Sequence, residues 1–379
     1  MQRIYLDHAA TSFPKAPGVA QAMADYLTGN GCNVGRSSYQ SAAQAEDLVL
    51  EARSALAKLL GAPRESHVIF TPGVTHSLNY LIKGLLKPGD HCIVSGFEHN
   101  AVMRPLHHLG VEWTAAKLNP DGQFEALEQL FRPNTRLVVM THGSNVFGGV
   151  LPLAQVGQVC ARLDVPFVVD CAQTAGHLPV TLQSVGAWAL CFAGHKGLLG
   201  PQGIGGMVLS EQMAELVPPF IDGGTGSMSH LLEMPRNLPD RLEAGTPNIP
   251  GIVGLGHAVR WLLQQGVDTI HEREVSLTRQ FLQGIEGIPG VRAVTIPGLQ
   301  QSGVVSVVFD GLDLAEAAWQ LEDYGIQVRC GLHCAPLAHQ TMGTFPQGTV
   351  RFSFGWSTRP EEIAQALQAV QEIAQKAVC

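Results

Sequence analysis

Short apolar runs alternate with stretches of helical spacing through the first half of the chain. The runs at 67–70 (HVIF), 91–95 (HCIVS), 136–141 (RLVVMT), 165–169 (VPFVV) and 207–209 are too short for helices and rich in β-branched residues, so they read as buried strands. Residues 17–28, 41–60, the stretch reaching Leu86 and 150–163 carry helical spacing. In 41–60 the apolar positions Ala45, Leu48, Val49, Ala52 and Leu56 share one face. This alternation from about residue 67 to 208 predicts an α/β fold with a doubly wound, mainly parallel sheet.

After residue 209 the pattern changes. Residues 218–250 are rich in Pro, Gly and Asn without a period, and such a stretch in a compact enzyme is usually functional or at an interface. A helix is expected at 252–265. Beyond it a charged helix (271–285), strands at 291–296 and 304–309, a helix at 314–324, strands at 326–329 and 349–354, and a C-terminal helix from about 360 predict an α+β module. The expected division is a large domain of residues 15–265 and a small one of 1–14 with 266–379.

The polar residues that follow the strands carry the candidate chemistry. The segment 188–206, WALCFAGHKGLLGPQGIGG, breaks from an apolar run into glycines at His195 and Lys196. A lysine at the end of a buried strand is costly without a partner or a task, and desolvation would free its amine to form a Schiff base with an aldehyde cofactor. Asp170 ends the run 165–169, where open α/β sheets bind ligands. A carboxylate there can hold a protonated pyridine nitrogen, the arrangement that makes pyridoxal phosphate (PLP) an electron sink; a helix cap or a magnesium ligand is the alternative. Thr75, in TPGVTHSLN, stands where a helix start can hold a phosphate, or merely cap the helix. His99 can stack on a pyridine ring, and Asn145 and Gln173 can reach a phenolate oxygen. Thr75, His99, Asn145, Asp170 and Lys196 would all gather at one sheet edge.

A second locus is RCGLHCAPLAH (329–339), with Cys330, His333, Cys334 and His339. Metal ligation and plain burial are the alternatives to a nucleophilic Cys334 on a mobile loop, with His333 and Arg329 favouring its thiolate. Arg351, on the following strand, can bind a substrate carboxylate in bidentate fashion, or form a surface salt bridge.

Composition narrows the class. With 45% hydrophobic and 15% charged residues the chain is a well-packed globular enzyme, and a net charge of −8 without a basic run argues against nucleic acid. No run reaches membrane-spanning length and no signal peptide is visible. Eight scattered cysteines suit a reducing cytoplasm.

The motifs YLDHAATS, GVTHSLN, EHNAV, SNVFGG, VDCAQTAGH, GHKGLLGPQGIG, EAGTPN and RCGLHCAP…VRFS together resemble the class V aminotransferase family of fold-type-I PLP enzymes, in its cysteine desulfurase and selenocysteine lyase branch. The resemblance covers almost the whole chain and implies a seven-stranded large-domain sheet. It implies that Lys196 is the PLP Schiff-base lysine, that Asp170 pairs with the pyridine nitrogen, and that Gln173 and Asn145 lie near the phenolate and substrate. By the same resemblance His99 stacks on the ring, Thr75 and His195 hold the phosphate, and Thr246 reaches the phosphate of the neighbouring subunit of a homodimer. Arg351, with Arg329, would bind the substrate, and Cys334 would accept sulfur from L-cysteine, or selenium from L-selenocysteine, before passing it to an acceptor protein. The compact 329–339 segment is similar to the short-loop branch. Three positions depart from the pattern: Ala193 replaces the usual serine before Gly-His-Lys, Leu332 replaces a histidine, and Cys330 adds a thiol that could pair with Cys334 or relay sulfur. An aminotransferase or epimerase on the same scaffold, or a non-enzymatic sulfur-transfer protein, are the rival expectations.

Overall fold

The computed structural model describes residues 3–35 and 39–378; Arg36, the arginine of the Gly/Asn/Ser loop after the first helix, lies outside them. The seven strands of the main sheet are β1 (Val68–Thr71), β2 (His91–Ser95), β3 (Glu112–Ala116), β4 (Thr135–Thr141), β5 (Phe167–Asp170), β6 (Ala189–Ala193) and β7 (Gly205–Leu209). Their order is β1-β7-β6-β5-β4-β2-β3. The pairs β2–β3, β2–β4, β4–β5 and β5–β6 are parallel, whereas β7 runs antiparallel to both β1 and β6. The sheet is therefore mixed, with a parallel centre. Its middle strands are buried on both faces, which is why they read as unbroken apolar runs.

Helices cover both faces. The helix Gln40–Leu60 packs on Ile249–Gln265, and Val74–Leu85 on Asn100–Leu109. Two elements of this region escape the apolar pattern. Strand β3 is an edge strand whose Glu112 and Trp113 are exposed, so it carries no apolar run. The helix Asn100–Leu109 holds a proline and two histidines that mask its spacing.

A second, four-stranded antiparallel sheet is built from β8 (Val291–Val294), β9 (Val304–Phe309), β10 (Arg329–Gly331) and β11 (Thr349–Ser353), in the order β8-β9-β11-β10. The helices Val267–Glu286 and Pro360–Val378 pack together against it. The chain start joins this side: Ile4–Tyr5 pairs in parallel with Ile326–Gln327, and Ser353 N–H donates to the Leu6 carbonyl. The run expected at 326–329 is thus two short strands serving two different sheets. The segment 218–248 holds no helix or strand.

Candidate active site

The carboxyl ends of the parallel strands supply the site. Asp170 ends β5 and is buried, accepting 2.9 Å from the Ala172 N–H. Desolvation raises its carboxyl pKa, and this hydrogen bond and Lys196 pull it back only in part. Lys196 follows β6 in a turn. Burial brings its ammonium down to about 8, and Asp170 is the main opposing influence. A carboxylate and an amine that both lack full solvation are suited to meet a ligand of complementary charge. Gly197 must lack a side chain, because a Cβ there would lie 2.4 Å from the His177 ring and 2.5 Å from the Ala175 carbonyl. The peptide after Lys196 is therefore pressed onto His177.

His99 caps the helix Asn100–Leu109, its Nδ1 accepting from the Ala101 N–H at 3.0 Å. That bond puts the ring proton on Nε2. Burial, then Lys196, Arg104 and Arg351, push the pKa down to about 4, so the imidazole is neutral. Thr75 occupies the second position of the helix Val74–Leu85, whose N-cap is Gly73, so the capping alternative does not apply. Thr75, His99 and Cys334 line one cleft, with Lys83, Arg104 and His108 along its wall. His195 contacts the chain start, Nδ1 lying 3.1 Å from Thr11 Oγ1, and burial lowers its pKa to about 4. Lys15 Nζ donates to Thr11 Oγ1, Ser12 Oγ and the His195 carbonyl. Ala193 is buried at the end of β6.

The small sheet closes the site from the other side. Arg351 is 3% exposed; its Nη1 donates to the Asn145 carbonyl at 2.9 Å and its Nη2 to Asp7 Oδ1 at 2.8 Å. It faces Arg329 across the β10–β11 pair, and Arg329 donates to the other oxygen of Asp7 at 3.0 and 3.1 Å. One carboxylate thus holds two guanidinium groups. The Arg351 pair is a buried one rather than the surface salt bridge considered from the sequence. Asp7 was not singled out by sequence reasoning, although it stands inside YLDHAATS; the register that brings it to β11 is long-range. Glu98 was missed as well. It is fully buried, takes hydrogen bonds from Ser95 N–H, Ser95 Oγ and Thr141 N–H, and burial raises its pKa to about 8.

The segment around Cys334 differs from expectation in three respects. It is a turn tied to the large-sheet side: the Asn100 N–H donates to the Cys334 carbonyl at 2.8 Å, and Asn145 Nδ2 to the His333 carbonyl at 2.7 Å. His333 and Cys334 take consecutive left-handed conformations, φ 49° and 59°, a strain of about 1–3 kcal/mol per residue that these bonds offset. His333 does not stand by the thiol as a cation. Its ring is buried against Thr349, and burial and Arg351 push its pKa down to about 2. Cys330 packs with the apolar cluster of the small sheet, while Cys334 is exposed in the cleft, and both are free thiols. Among the described residues no group of three metal-ligating side chains is placed to hold an ion.

Thr246 does not join this cleft. It lines a separate groove with Thr71, Tyr80 and Asn248.

A family model, aminotransferase class V, matches residues 4–366. The chain belongs to this family. It is 34% identical over 346 residues to a cysteine desulfurase of Escherichia coli O157:H7, covering 87% of this chain and 84% of that protein. It is 32% identical over 384 residues to a probable cysteine desulfurase of Mycolicibacterium paratuberculosis; the match takes in 98% of this chain and about half (55%) of that longer protein. An apo structure of a cysteine desulfurase from Thermococcus onnurineus NA1 superimposes with a TM-score of 0.91 at 30% identity, covering 99% of this chain and 95% of that one. The family is one of PLP enzymes. The residues here fit that cofactor: an amine with lowered pKa, a desolvated carboxylate and a neutral imidazole lie at one sheet edge. No described helix is long and apolar enough to cross a membrane.

Proposed function

We propose that the protein is a PLP-dependent cysteine desulfurase, which moves sulfur from L-cysteine onto Cys334 as a persulfide and releases L-alanine. The observation that carries this reading is the placement of the exposed Cys334 in one cleft with His99 and Thr75, its carbonyl bonded to the helix that His99 caps. An aminotransferase has no need of a thiol there.

Lys196 would hold the cofactor, Asp170 its pyridine nitrogen, His99 its ring face, Gln173 and Asn145 its phenolate side, and Thr75 with His195 its phosphate. When bound, it supplies an electron sink for the bonds at the substrate's Cα. Arg351 binds the substrate carboxylate, with Asp7 and the Asn145 carbonyl fixing its fork and Arg329 beside it. Lys196, whose ammonium burial brings down to about 8, would take the Cα proton as its free amine. The Cys334 sulfur then attacks the substrate sulfur. An S–S bond forms and the substrate's C–S bond breaks, its electron pair staying with carbon, which is protonated to give alanine.

In this reading the protein works in the cytoplasm as a homodimer in which Thr246 completes the partner's phosphate site, and a sulfur-acceptor protein unloads Cys334. The domain division is 15–265 against 1–14 with 266–379. The test is incubation with L-cysteine and a thiol reductant, with Cys334→Ala alongside. Equal alanine and sulfide that vanish in the variant are expected. Undiminished desulfuration by Cys334→Ala would overturn the reading.

A further inference from the structure

We propose that a small cavity behind Gln173 is a binding site for one structural water, and that this water fixes the direction of the Gln173 amide. The cavity lies where the large sheet, the chain start and the small sheet meet. His8, Ala9, Gln173, His177, Ser302 and Phe354 are among the residues lining it, and it has room for the centre of about one water molecule.

Three of its lining residues carry polar atoms that are unsatisfied. His8 Nδ1, Gln173 Oε1 and Ser302 Oγ all lack a hydrogen-bond partner, although the three residues are only 3–4% exposed. Buried polar groups are rarely left so, and three residues with orphan atoms lining one small space point to a shared partner. A water can both donate and accept, so it serves a carbonyl oxygen, a hydroxyl and an imidazole nitrogen together. The neighbouring wall adds to the case. His177 Nδ1 lies 2.9 Å from Glu274 Oε2, a buried pair linking the turn after β5 to the helix Val267–Glu286. Glu274 draws the His177 pKa upward against its burial. An empty space beside such a pair would leave it poorly solvated.

The consequence for Gln173 follows from its amide. Nε2 donates one hydrogen to the Ala9 carbonyl at 3.0 Å. With Oε1 accepting from the water, the amide is held at both ends in a single orientation. The second Nε2 hydrogen is then free for the site. Ser302 and His8 are thereby positioning residues for Gln173. This last step rests on the PLP reading above; the water itself does not.

The holoenzyme is compared with Ser302→Val, which fills the space with methyl groups, and with Ser302→Thr, which keeps the hydroxyl. The crystallographic expectation is a water within about 3.2 Å of all three orphan atoms in the wild type, absent in Ser302→Val. The bound cofactor's visible band should titrate at a shifted pH in Ser302→Val and return in Ser302→Thr, and kcat/KM for L-cysteine should fall about tenfold in the former. An empty cavity in a well-ordered wild-type crystal overturns the site. A water that is lost in Ser302→Val without any change of the band overturns the positioning role. Failure to desulfurate cysteine, with the water present, would count against the proposed reaction alone.

Discussion

The two sides of the cleft are built in opposite ways. On the large-sheet side each candidate residue stands at or just after a strand end: Asp170 closes β5, and Lys196 follows β6. Their geometry is a by-product of central strands, β5 and β6, that are buried from end to end. On the Cys334 side the backbone is strained and is held by bonds from distant parts of the chain, at Asn100 and Asn145. The first side is rigid because of its core. The second is positioned only while the two halves of the molecule stay docked.

That contrast gives the largest expected effects. Lys196→Ala should lower kcat by on the order of 10⁴-fold or more and remove the cofactor's characteristic absorbance. Cys334→Ala should abolish sulfide release equally well, yet keep the absorbance unchanged. Spectra and alanine assays on both variants check this. Loss of the absorbance in Cys334→Ala would mean that the two sides are not separable.

Next in size is the Asp7 clamp. Asp7→Asn removes the charge that holds Arg351 and Arg329 together. The KM for L-cysteine should rise by roughly tenfold or more, with kcat changed less, because the lost interaction orients a binding group. Breaking a buried ion pair also costs about 3–5 kcal/mol, so the unfolding midpoint should drop. Asp7→Glu should restore part of both. A rise in affinity for cysteine would show that Asp7 competes with substrate instead of arranging its receptor.

The legibility of the two sides follows the same division. The strands at 91–95 and 304–309 stand where the apolar runs place them, and the helix expected at 41–60 forms as Gln40–Leu60. Asp170, Lys196 and His99 could be found because a polar residue after an apolar run is a local signal. The anchored turn, Asp7 and the inward-facing Cys330 could not. Asp7 matters through a β11 contact more than 340 residues away, and Cys330 turns inward only because β10 pairs with β11 in a given register. His333 looked like a cation beside a thiol; its place against Thr349 is a tertiary fact.

Acid should act unevenly across the comparison. His8, His142 and His339 are buried and their pKa values are pushed down to about 3, 4 and 4. The unfolded chain binds their protons near pH 6.5, so stability from these groups is complete above that value and is lost as pH falls toward 4. His177 runs the other way: its raised pKa contributes most below 6.5 and fades as pH rises through the folded value. Chemical denaturation at a series of pH values should give a steeper acid limb in wild type than in His142→Gln. Equal limbs would show that this histidine is already solvated in the folded protein.

The smallest effect belongs to Cys330. It sits four residues from Cys334, and from the sequence it could relay sulfur. In the fold its side chain packs with the small-sheet cluster, and strand alternation puts it on the face opposite Arg329. Cys330→Ala should therefore leave alanine and sulfide production within about twofold of wild type, while costing about 1 kcal/mol in denaturant unfolding from lost packing. Mass spectrometry after a cysteine pulse, before reductant, should find the added sulfur on the Cys334 peptide in both proteins. Persulfide on Cys330, or a strong loss of turnover in Cys330→Ala, would require the turn to open far enough to bring the inner face of β10 to the cleft, and the two sides would then be less unlike than their hydrogen bonds make them.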